Sequence, residues 1–229
     1  MPTRETALVA HGLSLRAKDW EDMIFGKPPK LLGRASRAIQ LYADKYPHAS
    51  HLLFGSGATS KEYRGRELKE SEYTIQYILD NFSKLFEFDG LERLSKLNRW
   101  RLKNRIRRIA KPMLEPKNTI GELRYAIPFC RDAGISEIVL VADPPFISRC
   151  IGHGEHILEE LGLFGKIRLV GEQSDVCHPD QRAADVVIFE PPPGDPEPVG
   201  TILRGIFDIK EKLPEFKTAV KDLIAQHRA

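Results

Sequence analysis

Five short stretches place chemically capable side chains directly after an apolar run or at the start of a helical pattern. They are His11-Gly12, the turn Gly55-Ser-Gly-Ala-Thr-Ser60, the acids of Glu70-Ser-Glu72, the run Glu115…Asn118-Thr-Ile-Gly-Glu122, and Asp143-Pro-Pro-Phe-Ile-Ser-Arg149. In the turn, Ser56, Gly57, Ala58 and Thr59 are small enough to aim backbone N–H groups at a ligand, and the helix N-terminus that follows favours an anion. Neither stock nucleotide fingerprint is met. No Gly-Lys-Ser/Thr pair stands at P-loop spacing, and Ser60 occupies the position where a dinucleotide motif needs its third glycine.

The carboxylates suggest proton transfer or recognition of a ribose, an amine or a metal. Glu72 and Glu115 are the candidate pair, and His11, closing the first strand, is a third candidate acid or base. Thr119-x-x-Glu122 has capping-box spacing, and Asn118 is an equally good helix cap, so capping and ligand contact both stay open for these three. Arg149, just past a strand, stands where the helix dipole prefers an anion, which points its guanidinium at a ligand carboxylate or phosphate. Arg34 can act in the same way, or in surface pairs. Cys177-His178 and Asp180 have ligand chemistry, but no second cluster accompanies them and no metal site is expected.

These stretches need elements to hold them. Thr6–Ala10, His51–Phe54, Glu137–Ala142, Ile167–Val170 and Ala184–Phe189 are apolar strand-like runs, separated by helical periods at 31–46, 67–82, 119–133 and 147–161, with a last one at 218–226. Continuous Val/Ile/Leu strands between helices predict an α/β, doubly wound, mainly parallel sheet covered on both faces. In such sheets ligands bind where strand C-termini open toward helices, and that is where all five stretches lie. The proline-rich run 190–198 reads as a stiff surface connector.

Composition narrows the class. With 41% apolar and 29% charged residues the chain is an ordinary globular protein, and a net charge of +3 is too small to imply a polyanionic partner by itself. Its distribution is uneven: residues 91–111 hold nine Lys/Arg against one acid, Glu92. An amphipathic basic helix is expected there, within an insertion at 84–112 of a single domain spanning 1–229. Cys130, Cys150 and Cys177 are odd in number and widely spaced, as expected of reduced thiols. No run approaches the roughly 20 apolar residues of a membrane span. A cytoplasmic location and no membrane partner are expected.

The ordered set Gly12, Arg34-Ala-Ser-Arg-Ala38, Ser56-Gly-Ala58, Ser71-Glu72, Glu115…Asn118-Thr-Ile-Gly-Glu122 and Phe146-Ile-Ser-Arg149 resembles the YdcF-like family, which includes the SanA-like envelope proteins and is named for a domain of unknown function. The resemblance runs from about residue 5 to 190 and implies a Rossmann-like sheet. The family's usual histidine is Phe146 here, and an asparagine that follows its Asn-Thr-x-Glu motif is Leu123. His11 is a candidate to replace that histidine.

Two functions are then in competition. In the first, a cleft at the strand C-termini binds, and can transform, an anionic or nucleotide-like small molecule. Adenosine-containing cofactors, S-adenosylmethionine among them, are guests of such folds by analogy alone. In the second, the basic helix grips nucleic acid or an acidic partner. The single Trp100 among the cations argues against a dedicated nucleic-acid surface, and a lid or a contact between subunits is the expected role of the helix.

Overall fold

The computed structural model describes residues 5–17 and 19–175. The expected strand at 184–189, the proline-rich run, the last helix and the Cys177-His178 pair lie outside them. Two compact units divide the chain, Met1–Val186 and Val187–Ala229. Only the first contains described residues.

In chain order the elements are β1 (Thr6–Ala10), α1 (Trp20–Ile24), β2 (Gly26–Lys27), β3 (Leu31–Leu32), α2 (Arg34–Asp44), β4 (His51–Phe54), β5 (Ser60–Tyr63), β6 (Arg66–Lys69) and α3 (Glu70–Asp80). A 3-10 turn at Phe82–Glu87 follows, then α4 (Lys96–Ile109), β7 (Ala110–Pro112), α5 (Thr119–Asp132), β8 (Glu137–Ala142), α6 (Pro144–Glu160) and β9 (Arg168–Gln173). The central sheet has the order β7-β4-β1-β8-β9, and every pairing in it is parallel.

By position in the chain that order is third, second, first, fourth, fifth, the order of a Rossmann-like doubly wound sheet. The chain winds outward from β1 to β7, returns through α5, and winds outward again from β8. The strand alternation supplies two cores. Leu8, Ala10, Leu52, Phe54, Val139 and Val141 face one side with residues of α2, α3 and α4. Ala7, Val9, Leu53, Ile138, Leu140 and Ala142 face the other with α5 and α6. A strand buried on both faces must be apolar at every position, which is why these runs do not alternate.

Three local expectations change. The helix expected from residue 31 starts at Arg34, because Leu31 and Leu32 pair with Lys27 and Gly26. The helix expected from residue 67 starts at Glu70, because Ser60–Tyr63 and Arg66–Lys69 form a hairpin. Its two-residue loop, Arg64-Gly65, has φ of 52° and 76°, a left-handed pair whose twist suits a tight hairpin. The segment 84–112, expected as an insertion within the single domain, is built into the core and the sheet. Leu102, Ile106 and Ile109 of α4 belong to the core, and the following Ala110–Pro112 pairs with β4 as a strand of the sheet.

Candidate functional site

The ladder continues one residue past each strand and sets the floor of a cleft. The His11 N–H donates to Val141 O at 3.0 Å, Gly55 N–H to Ala10 O at 3.0 Å, and Met113 N–H to Phe54 O at 2.8 Å. The sequence change from apolar to polar at Ala10-His11, Phe54-Gly55 and Ala142-Asp143 therefore happens at one level, beside the reversal of strand order between β1 and β8.

The turn after β4 is stapled on two sides. Ser71 N–H donates to Ser56 O at 2.8 Å and Glu70 N–H to Thr59 O at 2.9 Å, tying it to the start of α3, while Gly57 N–H donates to Pro116 O at 2.7 Å. Gly57 lies against the Leu114 backbone, with no space for a side chain, and packs there instead of facing the cleft. Thr59 stands one layer back. Its hydroxyl donates to Glu70 Oε2 at 3.1 Å and accepts the Leu15 N–H at 3.0 Å.

A cavity of about 210 Å³ opens above this floor. Its wall includes His11, Gly12, Arg34, Ser56, Ala58 and Glu70, and on the far side Asn118, Thr119, Glu122, Phe146, Arg149 and Cys150. Lys117 adds a cation at the rim. Residues more than a hundred positions apart in the chain thus share one wall.

Two carboxylates lie against the glycine backbone. Glu70 Oε1 accepts the Ser56 N–H at 3.3 Å, and Glu122 Oε1 accepts the Gly12 N–H at 3.3 Å. A Cβ on Gly12 would strike Glu70, and one on Gly55 would strike Glu122, so both positions need glycine for close approach. Burial, and after it the charge of nearby Glu122, push the Glu70 carboxyl above its ordinary range, although hydrogen bonds from Thr59 and Ser56 oppose this.

Glu122 also accepts a hydrogen bond from His11: Oε2 lies 2.5 Å from Nδ1, with both side chains 3% exposed. Burial alone would lower the basicity of the ring. The Cys150 sulfur and the Glu122 carboxylate beside it outweigh that and raise His11 to about 10. The other ring nitrogen, Nε2, is buried without a hydrogen-bond partner.

Asp143 sits beneath the cavity, fully buried. Arg34 forks onto it through Nε–Oδ1 and Nη2–Oδ2, each 2.6 Å, and Ser174 Oγ donates to it at 3.2 Å. Arg34 Nη1 donates to Gly12 O at 2.5 Å. An arginine at a helix start opposes the dipole, and here Asp143 neutralises it. Arg149 is exposed in the second turn of α6, its guanidinium 4.6 Å from the centre of the Phe146 ring, and Arg34 lies 5.8 Å from the same ring. Phe146 therefore supplies an aromatic face to two cations.

Not every expected site residue reaches the cleft. Glu72 Oε2 accepts the Lys69 N–H at 3.0 Å and closes the start of α3. Two positions along a helix differ by about 200°, so Glu70 and Glu72 cannot share a face. Glu115 is exposed in the loop before α5 and does not line the cavity. Asn118 is the cap of α5, its Oδ1 accepting the Gly121 N–H at 2.8 Å, which leaves Glu122 free of a capping box. Sequence reasoning missed Glu70, two positions before the residue chosen, and Cys150, read as a reduced thiol. The position of Cys150 directly after Arg149 was the available signal.

Among the described residues no group of acids, histidines and cysteines could hold a metal ion, and no helix is long and apolar enough to cross a membrane. The chain matches no protein-family model, no curated protein and no solved structure.

Proposed function

We propose that the protein binds, and can transform, an anionic or nucleotide-like small molecule in the cleft at the C-terminal ends of β1, β4 and β8, as a cytoplasmic relative of the YdcF-like proteins. The observation that carries this reading is the joint presence on one cavity wall of Arg149, exposed and aromatic-backed, and the unpartnered His11 Nε2. The relation to the YdcF-like proteins rests on the ordered motifs, and the adenosine-containing ligands on fold analogy. Cys130 and Cys150 are free, in keeping with a reducing compartment. At about 210 Å³ the cavity is smaller than the roughly 300–1,000 Å³ of a drug-sized site, so it suits the charged end of a ligand.

Calorimetric titration with inorganic pyrophosphate, ADP and S-adenosylmethionine tests the reading. Losing a charge-assisted hydrogen bond costs roughly 1.5–3 kcal/mol. Arg149→Ala is therefore expected to weaken the binding of pyrophosphate or ADP by about 10- to 100-fold, with the unliganded melting temperature nearly unchanged. If the unliganded variant melts far lower, Arg149 is a structural residue and its assignment fails.

A second reading places nucleic acid or an acidic partner on α4. Two larger cavities, of about 530 and 610 Å³, favour it: both are lined by Arg105 and Arg108, and exposed Trp100 borders the larger. They lie toward the opposite end of the strands, where β4 begins at His51, and hold none of the cleft residues.

A further inference from the structure

His11 offers chemistry beyond holding an anion. It is 3% exposed, one nitrogen is taken by Glu122, and the other has no hydrogen-bond partner. Leaving a buried polar atom unsatisfied is unfavourable, so such an atom calls for a partner that arrives with the ligand or forms during a reaction. Cys150, 1% exposed, lines the same cavity, and its nearness is among the causes that raise the ring. Since Nδ1 is engaged by Glu122, Nε2 is the nitrogen left to exchange a proton with the thiol.

We propose that Cys150, His11 and Glu122 act as nucleophile, proton carrier and orienting carboxylate, and that the cleft's substrate is an ester or thioester whose anionic tail is held by Arg149. This rests on the anion-binding reading of the same cleft. Glu122 fixes the ring as the third member of such a set must. The acids select the electrophile. Glu70 and Glu122 border the reacting end and would repel a phosphoryl group, which arrives charged, whereas a carbonyl arrives neutral. Arg34 offers no relief, being forked onto Asp143.

The step balances within these groups. The ring starts with its proton on Nε2 and the sulfur as its anion: the sulfur bonds to the carbonyl carbon, the carbon–oxygen or carbon–sulfur bond to the leaving group breaks, and Nε2 gives its proton to that group. Water then adds to the acyl-thioester, giving a proton to Nε2, and the carboxylic acid leaves as the sulfur anion is restored. The upward shift of the ring keeps the proton on Nε2 until the leaving group takes it.

Peptide mapping by mass spectrometry after brief iodoacetamide treatment at pH 7, and after p-nitrophenyl acetate, tests the proposal. Cys130 is an internal control, since burial pushes its thiol up to about 12. Cys150 is expected to be alkylated at least about 10-fold faster than Cys130, and Glu122→Gln should remove that advantage. p-Nitrophenyl acetate should leave an acetyl group on Cys150 with a burst of nitrophenolate. Cys150→Ser, nearly isosteric, should abolish the burst while the protein stays folded. Equal alkylation of the two cysteines, or a burst that survives Cys150→Ser, overturns the proposal. If Cys150 is inert while pyrophosphate or ADP binding still depends on Arg149, only the thiol chemistry falls. If Cys150 reacts as stated and neither anion binds, the binding reading falls instead.

Discussion

At the scale of single residues, the cleft stores ionisation that alkali should release. The folded His11 ring, raised to about 10 from 6.5, holds its proton more tightly than the unfolded chain does. Its stabilising contribution is fully present below pH 6.5 and is lost as pH rises toward 10. Glu70, also raised, acts in the same direction at lower pH, because its ionised form is the one burial disfavours. Melting temperature is therefore expected to fall from pH 7 to pH 10 in the native protein, and less steeply in Glu122→Gln, which removes one of the two partners that lift the ring. A native profile as flat as the variant's would contradict the His11–Glu122 coupling. The Arg34–Asp143 fork is the second residue-scale determinant. Asp143→Ala leaves a buried guanidinium uncompensated, a loss of about 3–5 kcal/mol, to be read from urea unfolding.

At the scale of elements, the turn after β4 is held by close packing of Gly57 as well as by its hydrogen bonds. A methyl group on Gly57 would meet the Leu114 main chain, which cannot swing aside as a side chain would. Gly57→Ala is expected to destabilise by roughly 1–3 kcal/mol, whereas Asn118→Ala, which removes only a helix cap, should cost about 1 kcal/mol. Chemical denaturation of the two variants compares them, and equal losses would mean that the turn has room to move. This contrast also shows what the sequence could reveal. The strands β1, β4 and β8 were legible because burial on both faces demands unbroken apolar runs. The hairpin β5–β6 was not, because Leu68 is its single buried apolar residue and its remaining positions read as the start of a helix. Strand β7 was hidden in Ala110-Lys-Pro, three residues that resemble a basic helix running out. In the cleft, the sequence located the turns and Arg149 but chose Glu72 over Glu70, since choosing between acids two positions apart requires knowing where α3 begins.

At the scale of the whole molecule, α4 is part of the frame. Its apolar stripe is core, Arg99 stacks over Phe86 at 4.4 Å, and Lys103 lies over Phe82 at 5.7 Å. Replacing Arg105, Arg107 and Arg108 by Gln is therefore expected to leave weak nucleic-acid binding unchanged. A true nucleic-acid surface would lose affinity by roughly 10³ or more between 50 and 200 mM salt for six or more phosphate contacts. Submicromolar, salt-sensitive binding abolished in the triple variant would reverse the ranking of the two functions. The position of β1 carries another consequence. It is the middle strand, yet its partner β8 begins at Glu137, and the amide of His11 is fixed by the carbonyl of Val141. A ribosome extending a chain at about 5–20 residues per second delivers the first strand many seconds before its second neighbour. Until then a ribbon meant to be buried on both faces has at most one side of its ladder filled. Nascent chains halted before residue 137 should thus be the form of this protein that chaperones hold, and the cleft should be among the last features to form.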